Sequence, residues 1–207
     1  LLERYPDKFE LSVSYTTRNP RAGETHGVHY FFVTKEEFNE VKNSSIMLRS
    51  KEITKHSFVE YCEVHGNFYG THKSYVKQIM EKGKVNLLNS DIILKICILE
   101  IDVQGAHKVN KSGAECHYLF IEPPSMDSLV ERLKEGKHLV FFFNIIRGSE
   151  TPESLAKRVK NAEYEMKIAK ETPLYEKFVV NENLEESFKN LVQSINELYP
   201  GLDLRFK

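Results

Sequence analysis

An excess of charge of either sign is missing from this chain: 29 Lys and Arg stand against 30 Asp and Glu, a net charge of −1. With no global field, neither nucleic acid nor a membrane surface is an expected partner, and any affinity for anions must be local. Cysteine is scarce. Cys62, Cys97 and Cys116 are odd in number and follow no metal or redox spacing, which fits a reducing, cytoplasmic location. Long apolar runs are lacking as well. The stretch 139–146 (LVFFFNII) falls far short of the roughly 18 residues of a membrane span, and no signal-peptide pattern opens the 207 residues. His26 and His29, and likewise Cys62 and His65, lack the further ligands that zinc needs, so no metal site is expected. Internal repeats and low-complexity segments are absent, and 153–170 is amphipathic without sustained heptads.

What is present suffices for one domain with a real core, with room for subdomains. Short apolar runs alternate with amphipathic stretches, the pattern of an α/β fold. Strands are predicted over 9–13, 30–33 and 58–64, and buried strands over 96–101, 118–121 and 178–180. Helices are predicted over 35–42, over 73–82 with Gly83 as C-cap, and over 125–134 with a serine N-cap. Two more are predicted over 152–170 and from 182 or 183 to 198.

The densest chemistry lies in residues 12–32, SVSYTTRNPRAGETHGVHYFF. Ser14, Thr16, Thr17, Arg18, Arg21, Glu24 and Tyr30 gather around Pro20, Gly23 and Gly27. Hydroxyls and two guanidinium groups on such a turn suit phosphate, whose oxygens match arginine forks bidentately. The order resembles the guanylate kinase signature S-x-TTR-x-PR-x-GE-x-x-G-x-x-Y-x-F. The resemblance continues through VEYCEVHGNFYGTHKSYV, CILEIDVQGAHKV, LFIEPPSMDSLVERL, RGSETPESLAKRV and VVNENL, nearly the whole chain. It implies a P-loop NTPase-type parallel sheet core, a small mixed-β GMP-binding subdomain over 11–71 and a lid over 132–158. The core then comprises 72–131 and 159–207. It also implies a monomer that takes GMP and ATP, with Mg²⁺ accompanying ATP.

Two departures accompany the resemblance. The glycine-rich phosphate loop G-x-x-G-x-GKS/T and its preceding strand do not occur in these 207 residues, which begin at a point that follows the P-loop helix in the family. Three segments, within 42–57, 85–95 and 136–146, have no counterpart in the family pattern. Each adds about eleven residues, near the length at which unstructured loops become uncommon. Retained short introns in the gene model and genuine loops both account for them, and either way each is expected as an exposed excursion.

Guanine offers O6 as an acceptor, with N1–H and N2–H as donors, so a carboxylate facing the nitrogens and a hydroxyl facing O6 are complementary to it. By resemblance, Glu60 is the guanine-reading carboxylate, Ser14 and Thr71 are the hydroxyls near O6, and Asp102 is a second acidic contact. Arg18, Arg21, Tyr30 and Tyr69 would hold the GMP phosphate. Arg132, Arg147 and Arg158 match arginines that neutralise the transferring phosphoryl group, and Asn181 matches a position beside the adenine. Glu100 stands where the family usually has aspartate, and its extra methylene puts that position in doubt. Taken singly, Glu60 reads more readily as a surface strand residue and the lid arginines as solvated charges, odds that the motif inverts for Glu60, while core packing for Tyr69 and a solvent-facing charge for Arg21 are the lesser readings.

The function expected is ATP-dependent phosphorylation of GMP to GDP, with negligible turnover by the 207 residues alone for want of the phosphate loop. The rival from another class is a catalytically dead guanylate-kinase-like module that binds a phosphopeptide or partner protein.

Overall fold

The computed structural model describes residues 1–44, 46–47, 53–54, 57–64, 66–82, 95–135 and 152–206. Within them the chain divides into two compact units, Leu1–Ala114 and Glu115–Lys207. The expected subdomain 11–71 falls inside the first. Most of the expected lid, Gly83, His65 and Arg147, and most of the three extra segments lie outside the described residues.

The first unit runs β1 (Phe9–Leu11), β2 (Tyr15–Thr16), β3 (Phe31–Phe32), α1 (Lys35–Asn43), β4 (Ile46–Met47), β5 (Ile53–Thr54), β6 (Phe58–Val64), β7 (Asn67–His72), α2 (Lys73–Lys82), β8 (Ile96–Ile98) and α3 (Val103–Lys111). Its main sheet has the order β3-β2-β7-β6, with β6, β7 and β2 antiparallel and β3 parallel to β2. Strands β4 and β5 form a separate antiparallel pair. Strand β1 pairs in parallel with β8, Phe9 opposite Ile96.

Helix α1 begins at a capping box: Thr34 Oγ1 accepts from the Glu37 N–H while Glu37 accepts from the Thr34 N–H. Its apolar face delivers Phe38, 1% exposed, onto Phe58 and Phe68, with ring centroids at 4.8 and 5.5 Å. This stack presses against β7 at Gly70, where an added Cβ would lie 3.0 Å from Phe38 Cζ.

Helix α3, unforeseen in the sequence, starts at Asp102 and buries Val103, Ala106 and Val109. Its cap explains why the strand predicted over 96–101 stops at Ile98: residues 99–101 carry the chain to the helix start. That strand is half-buried rather than buried, since β1 is its one ladder partner among the described residues.

The second unit contains β9 (Leu119–Glu122), α4 (Met126–Glu135), α5 (Pro152–Glu171), β10 (Lys177–Val180) and α6 (Leu184–Leu198). Strands β9 and β10 are parallel, with Leu119 opposite Lys177 and Glu122 opposite Val180. Ser125 Oγ accepts from the Ser128 N–H at the start of α4. Asn183 caps α6 by accepting from the Glu185 and Glu186 N–H groups. The core of this unit includes Phe120, Leu133, Ala169, Leu174, Val179, Leu191, Val192 and Ile195. Strand β10 is not fully buried as predicted. Val179 faces inward on the unit that α6 covers, whereas Phe178 and Val180, on the alternate face, are each 41% exposed.

Replacing Phe38 by alanine removes the centre of the aromatic stack. The variant is expected to unfold about 3–5 kcal/mol more readily in urea, in line with buried aromatic truncations. A loss under about 1 kcal/mol in the same titration would show that the stack collapses around the gap.

Candidate nucleotide-binding site

The register of β6 on β7 places Glu60 opposite Thr71 and Cys62 opposite Tyr69, and a register shift between Phe58 and Glu60 resets the pairing just before the carboxylate. Such irregularities re-aim side chains and are frequent beside binding sites. Thr71, fully buried, donates from Oγ1 to Glu60 Oε1 at 2.7 Å, and Ser14 Oγ lies 3.2 Å from the same Thr71 oxygen. Three of the four residues that the resemblance assigned to guanine, Ser14, Thr71 and Glu60, are therefore joined in one hydrogen-bonded chain.

Glu60 is 4% exposed, and its second oxygen, Oε2, is buried without a hydrogen-bond partner among the described residues. Asp102 is 5% exposed and accepts at Oδ1 from the Gly105 N–H at 2.7 Å. Burial pushes the Glu60 carboxyl from its ordinary 4.5 up to about 7. The bond from Thr71 opposes that rise, the Asp102 charge adds to it, and the Lys108 ammonium opposes it. The same environment raises the Cys62 thiol, through burial first and then the Asp102 and Glu60 charges, so this cysteine is a packing residue rather than a nucleophile.

A second cluster surrounds Arg18. Its Nη1 and Nη2 donate to Glu24 Oε2 and Oε1 at 2.9 and 2.8 Å, an end-on fork. Arg18 Nε is itself buried without a hydrogen-bond partner. The guanidinium carbon stands 5.4 Å from the Tyr30 ring centroid and 5.6 Å from that of Phe32. Glu24 also accepts from the Arg21 N–H at 2.7 Å, which fixes the turn between the two arginines. Its carboxyl is held below the usual range, chiefly by the Arg18 hydrogen bond.

The Tyr30 and Tyr69 rings meet edge to face at 6.1 Å. Burial, with the charge of Glu100 next, pushes Tyr30 up to about 12, so this phenol keeps its proton and remains a donor. Glu100 has substantial accessible area, yet the protein mass around it desolvates the carboxyl enough to raise its pKa.

Ser14, Arg18, Arg21, Tyr30, Glu60, Tyr69, Thr71, Glu100 and Asp102 all belong to the first unit. Arg132, Arg158 and Asn181 belong to the second. Arg132, on α4, donates to the Asn181 and Glu182 carbonyls at 2.8 and 3.3 Å, tying the helix to the turn after β10. Arg158 is half-buried on α5. Sequence reasoning passed over Glu24 as the anchor of Arg18 and Gly105 as the donor to Asp102. The signal for Glu24 was its place three residues after Arg21 inside the signature. For Gly105 it was the Asp-x-x-Gly spacing of a helix start.

The architecture is α/β with parallel strand pairs, consistent with the class of P-loop NTPase-type nucleotide kinases. The guanylate kinase family model matches residues 1–198. Guanylate kinase of Clostridium perfringens (strain SM101 / Type A) is 42% identical over 191 residues, spanning 92% of this chain and 71% of that protein. Guanylate kinase of Sus scrofa is 32% identical over 197 residues, spanning 95% and 83%. The crystal structure of guanylate kinase from Anaplasma phagocytophilum aligns with a TM-score of 0.61 at 26% identity, covering 95% of this chain and 79% of that one. The chain belongs to the guanylate kinase family and is thereby a nucleoside monophosphate kinase by descent.

The raised Glu60 carboxyl has a stability consequence. Between about pH 4.5 and 7 the folded chain holds a proton there that the unfolded chain has lost. Stability from this group is therefore present below that window and falls as pH rises through it. In ligand-free unfolding titrations the decline is expected to be about 3 kcal/mol and to vanish in Glu60→Gln. A parent and variant with parallel pH profiles would refute the assignment of the titration to Glu60.

Proposed function

We propose that the first unit is a GMP site and that, completed by an ATP-phosphate loop, the chain transfers the γ-phosphoryl group of ATP to GMP. The supporting observation is the Ser14–Thr71–Glu60 chain, with Glu60 Oε2 buried and unpartnered beside Asp102. A buried acceptor without a donor is costly, and the guanine N1–H or N2–H would relieve it. Adenine presents an acceptor at N1 and cannot, which is how such a site rejects the wrong base.

The phosphate falls to Arg18, to Arg21 and to the phenols of Tyr30 and Tyr69. Holding it in line is most of what phosphoryl transfer asks of a protein, because a phosphate oxygen is already anionic and needs no general base. Glu100 and Asp102 lie at the acceptor side. Asn181 would stand beside the adenine, and Arg132, Arg147 and Arg158 would neutralise charge on the moving group. Mg²⁺ enters on the ATP phosphates as part of the substrate. The subdomain 11–71, the lid 132–158, a monomeric state and a cytoplasmic location complete this proposal.

Within the 207 residues no glycine-rich loop supplies backbone N–H groups, a lysine and a hydroxyl to the donor phosphates and Mg²⁺. The 207-residue chain assayed by itself is thus expected to turn over negligibly. Adding an N-terminal strand, phosphate loop and helix start in frame with Leu1, with the three extra segments excised, should yield ADP formation dependent on GMP. Robust turnover by the chain alone would overturn the account of the donor side. A folded, completed chain without turnover would favour the catalytically dead binding module.

The acceptor side is tested separately, by equilibrium binding. GMP is expected to bind at least tenfold more tightly than AMP, about 1.4 kcal/mol. Glu60→Gln should narrow that gap, because it turns an acceptor into a donor facing N1–H or N2–H. Arg18→Ala should weaken both nucleotides alike. Equal affinity of the parent for GMP and AMP removes the guanine assignment.

A further inference from the structure

Gly105 is the third residue of α3, and its φ is not in the left-handed region, so the backbone does not require a glycine there. Helix propensity favours alanine at such a position. Space, rather than conformation, is what glycine provides. A Cβ built on Gly105 would lie 3.1 Å from Asp102 Oδ1, 3.2 Å from Glu60 Oε2 and 3.1 Å from Ile101 Cβ. Two of those three neighbours are oxygens of the two buried acids, and one of them is the unpartnered oxygen of Glu60. The Gly105 N–H meanwhile holds Asp102 Oδ1 at 2.7 Å.

We infer that Gly105 is a positioning residue for base discrimination: its missing side chain lets the first turn of α3 close on both carboxylates, so that Glu60 Oε2 and Asp102 stay aimed where the base docks. This rests on the guanine site proposed above. Of the three neighbours, Ile101 Cβ is fixed to the backbone while the two carboxylates can rotate, so an added methyl is accommodated in part by moving Glu60 and Asp102. Shifting Glu60 by a few tenths of an ångström spoils a hydrogen bond that only guanine makes, while none of the three atoms nearest an added Cβ belongs to the cluster around Arg18.

The test compares Gly105→Ala with the parent chain by calorimetric titration with GMP and with AMP, with far-UV circular dichroism as the check on folding. GMP affinity is expected to fall about tenfold or more while AMP affinity stays within about threefold, so the preference collapses. A variant that keeps the parent's GMP preference overturns the inference. So does one that loses both nucleotides equally, which is the signature of a merely structural glycine. A parent chain with no preference for GMP defeats the guanine assignment itself, a failure visible before any variant is made. Should Gly105→Ala not fold, the double variant Gly105→Ala, Glu60→Asp withdraws the longer carboxylate from the added methyl. Recovered folding attributes the clash to Glu60 and supports the inference, and no recovery attributes it to backbone packing and overturns it.

Discussion

The hydrogen bond from Thr71 Oγ1 to Glu60 Oε1 joins two strands and orients a buried acid in the same contact. For it to form, β6 and β7 must pair in the register that sets residue 60 against residue 71, and a slip of one residue would turn Glu60 to the opposite face. The shift after Phe58, the hairpin that carries Tyr69 two residues before Thr71, and the docking of Ser14 from the start of β2 all serve that register. Burying an acid in this way lowers the stability of the empty protein. A site that is already desolvated and aimed does not have to reorganise when a ligand arrives.

Much of this was legible in the sequence because short signatures specify local geometry. The turn from Arg18 to Tyr30 has few conformations that satisfy two arginines, a glutamate and two glycines, and its composition already marks it as a dense polar cluster. The helices read well wherever caps and periodicity agree, as at Thr34 and Asn183. What escaped notice depends on partners remote in the chain. Strand β2 is two residues long and exists only because β7 and β3 flank it. Strand β7 follows a hairpin turn too brief to announce itself. Helix α3 has a cap but only sparse apolar positions among Gly105, His107 and Lys108, so its period is faint. Strands β8, β9 and β10 are less buried than their apolar runs imply, since such a run shows what a strand can bury and not how many neighbours cover it. The two roles of Glu24, toward Arg18 and toward the Arg21 amide, required coordinates.

The second unit uses its charges differently. Arg132 spends its terminal nitrogens on the Asn181 and Glu182 carbonyls, groups at the exit of β10 that the Asn183 cap does not reach. Its guanidinium is thus a fastener between α4 and the start of α6 before it is anything else. A side chain with five donors can hold such a tie and still present N–H groups elsewhere, which lysine could not do with the same geometry.

The stack of Phe38, Phe58 and Phe68 leans on Gly70, and Gly70 is flanked in the chain by Tyr69 and Thr71. Positions 38, 58 and 70 therefore share one volume. A lineage that enlarges the residue at 70 must make room at 38 and 58 together, and a lineage that keeps both large aromatics must keep the bare backbone. Among descendants of this sequence the three positions should change together or not at all, and the two side chains that adjoin residue 70 inherit the outcome.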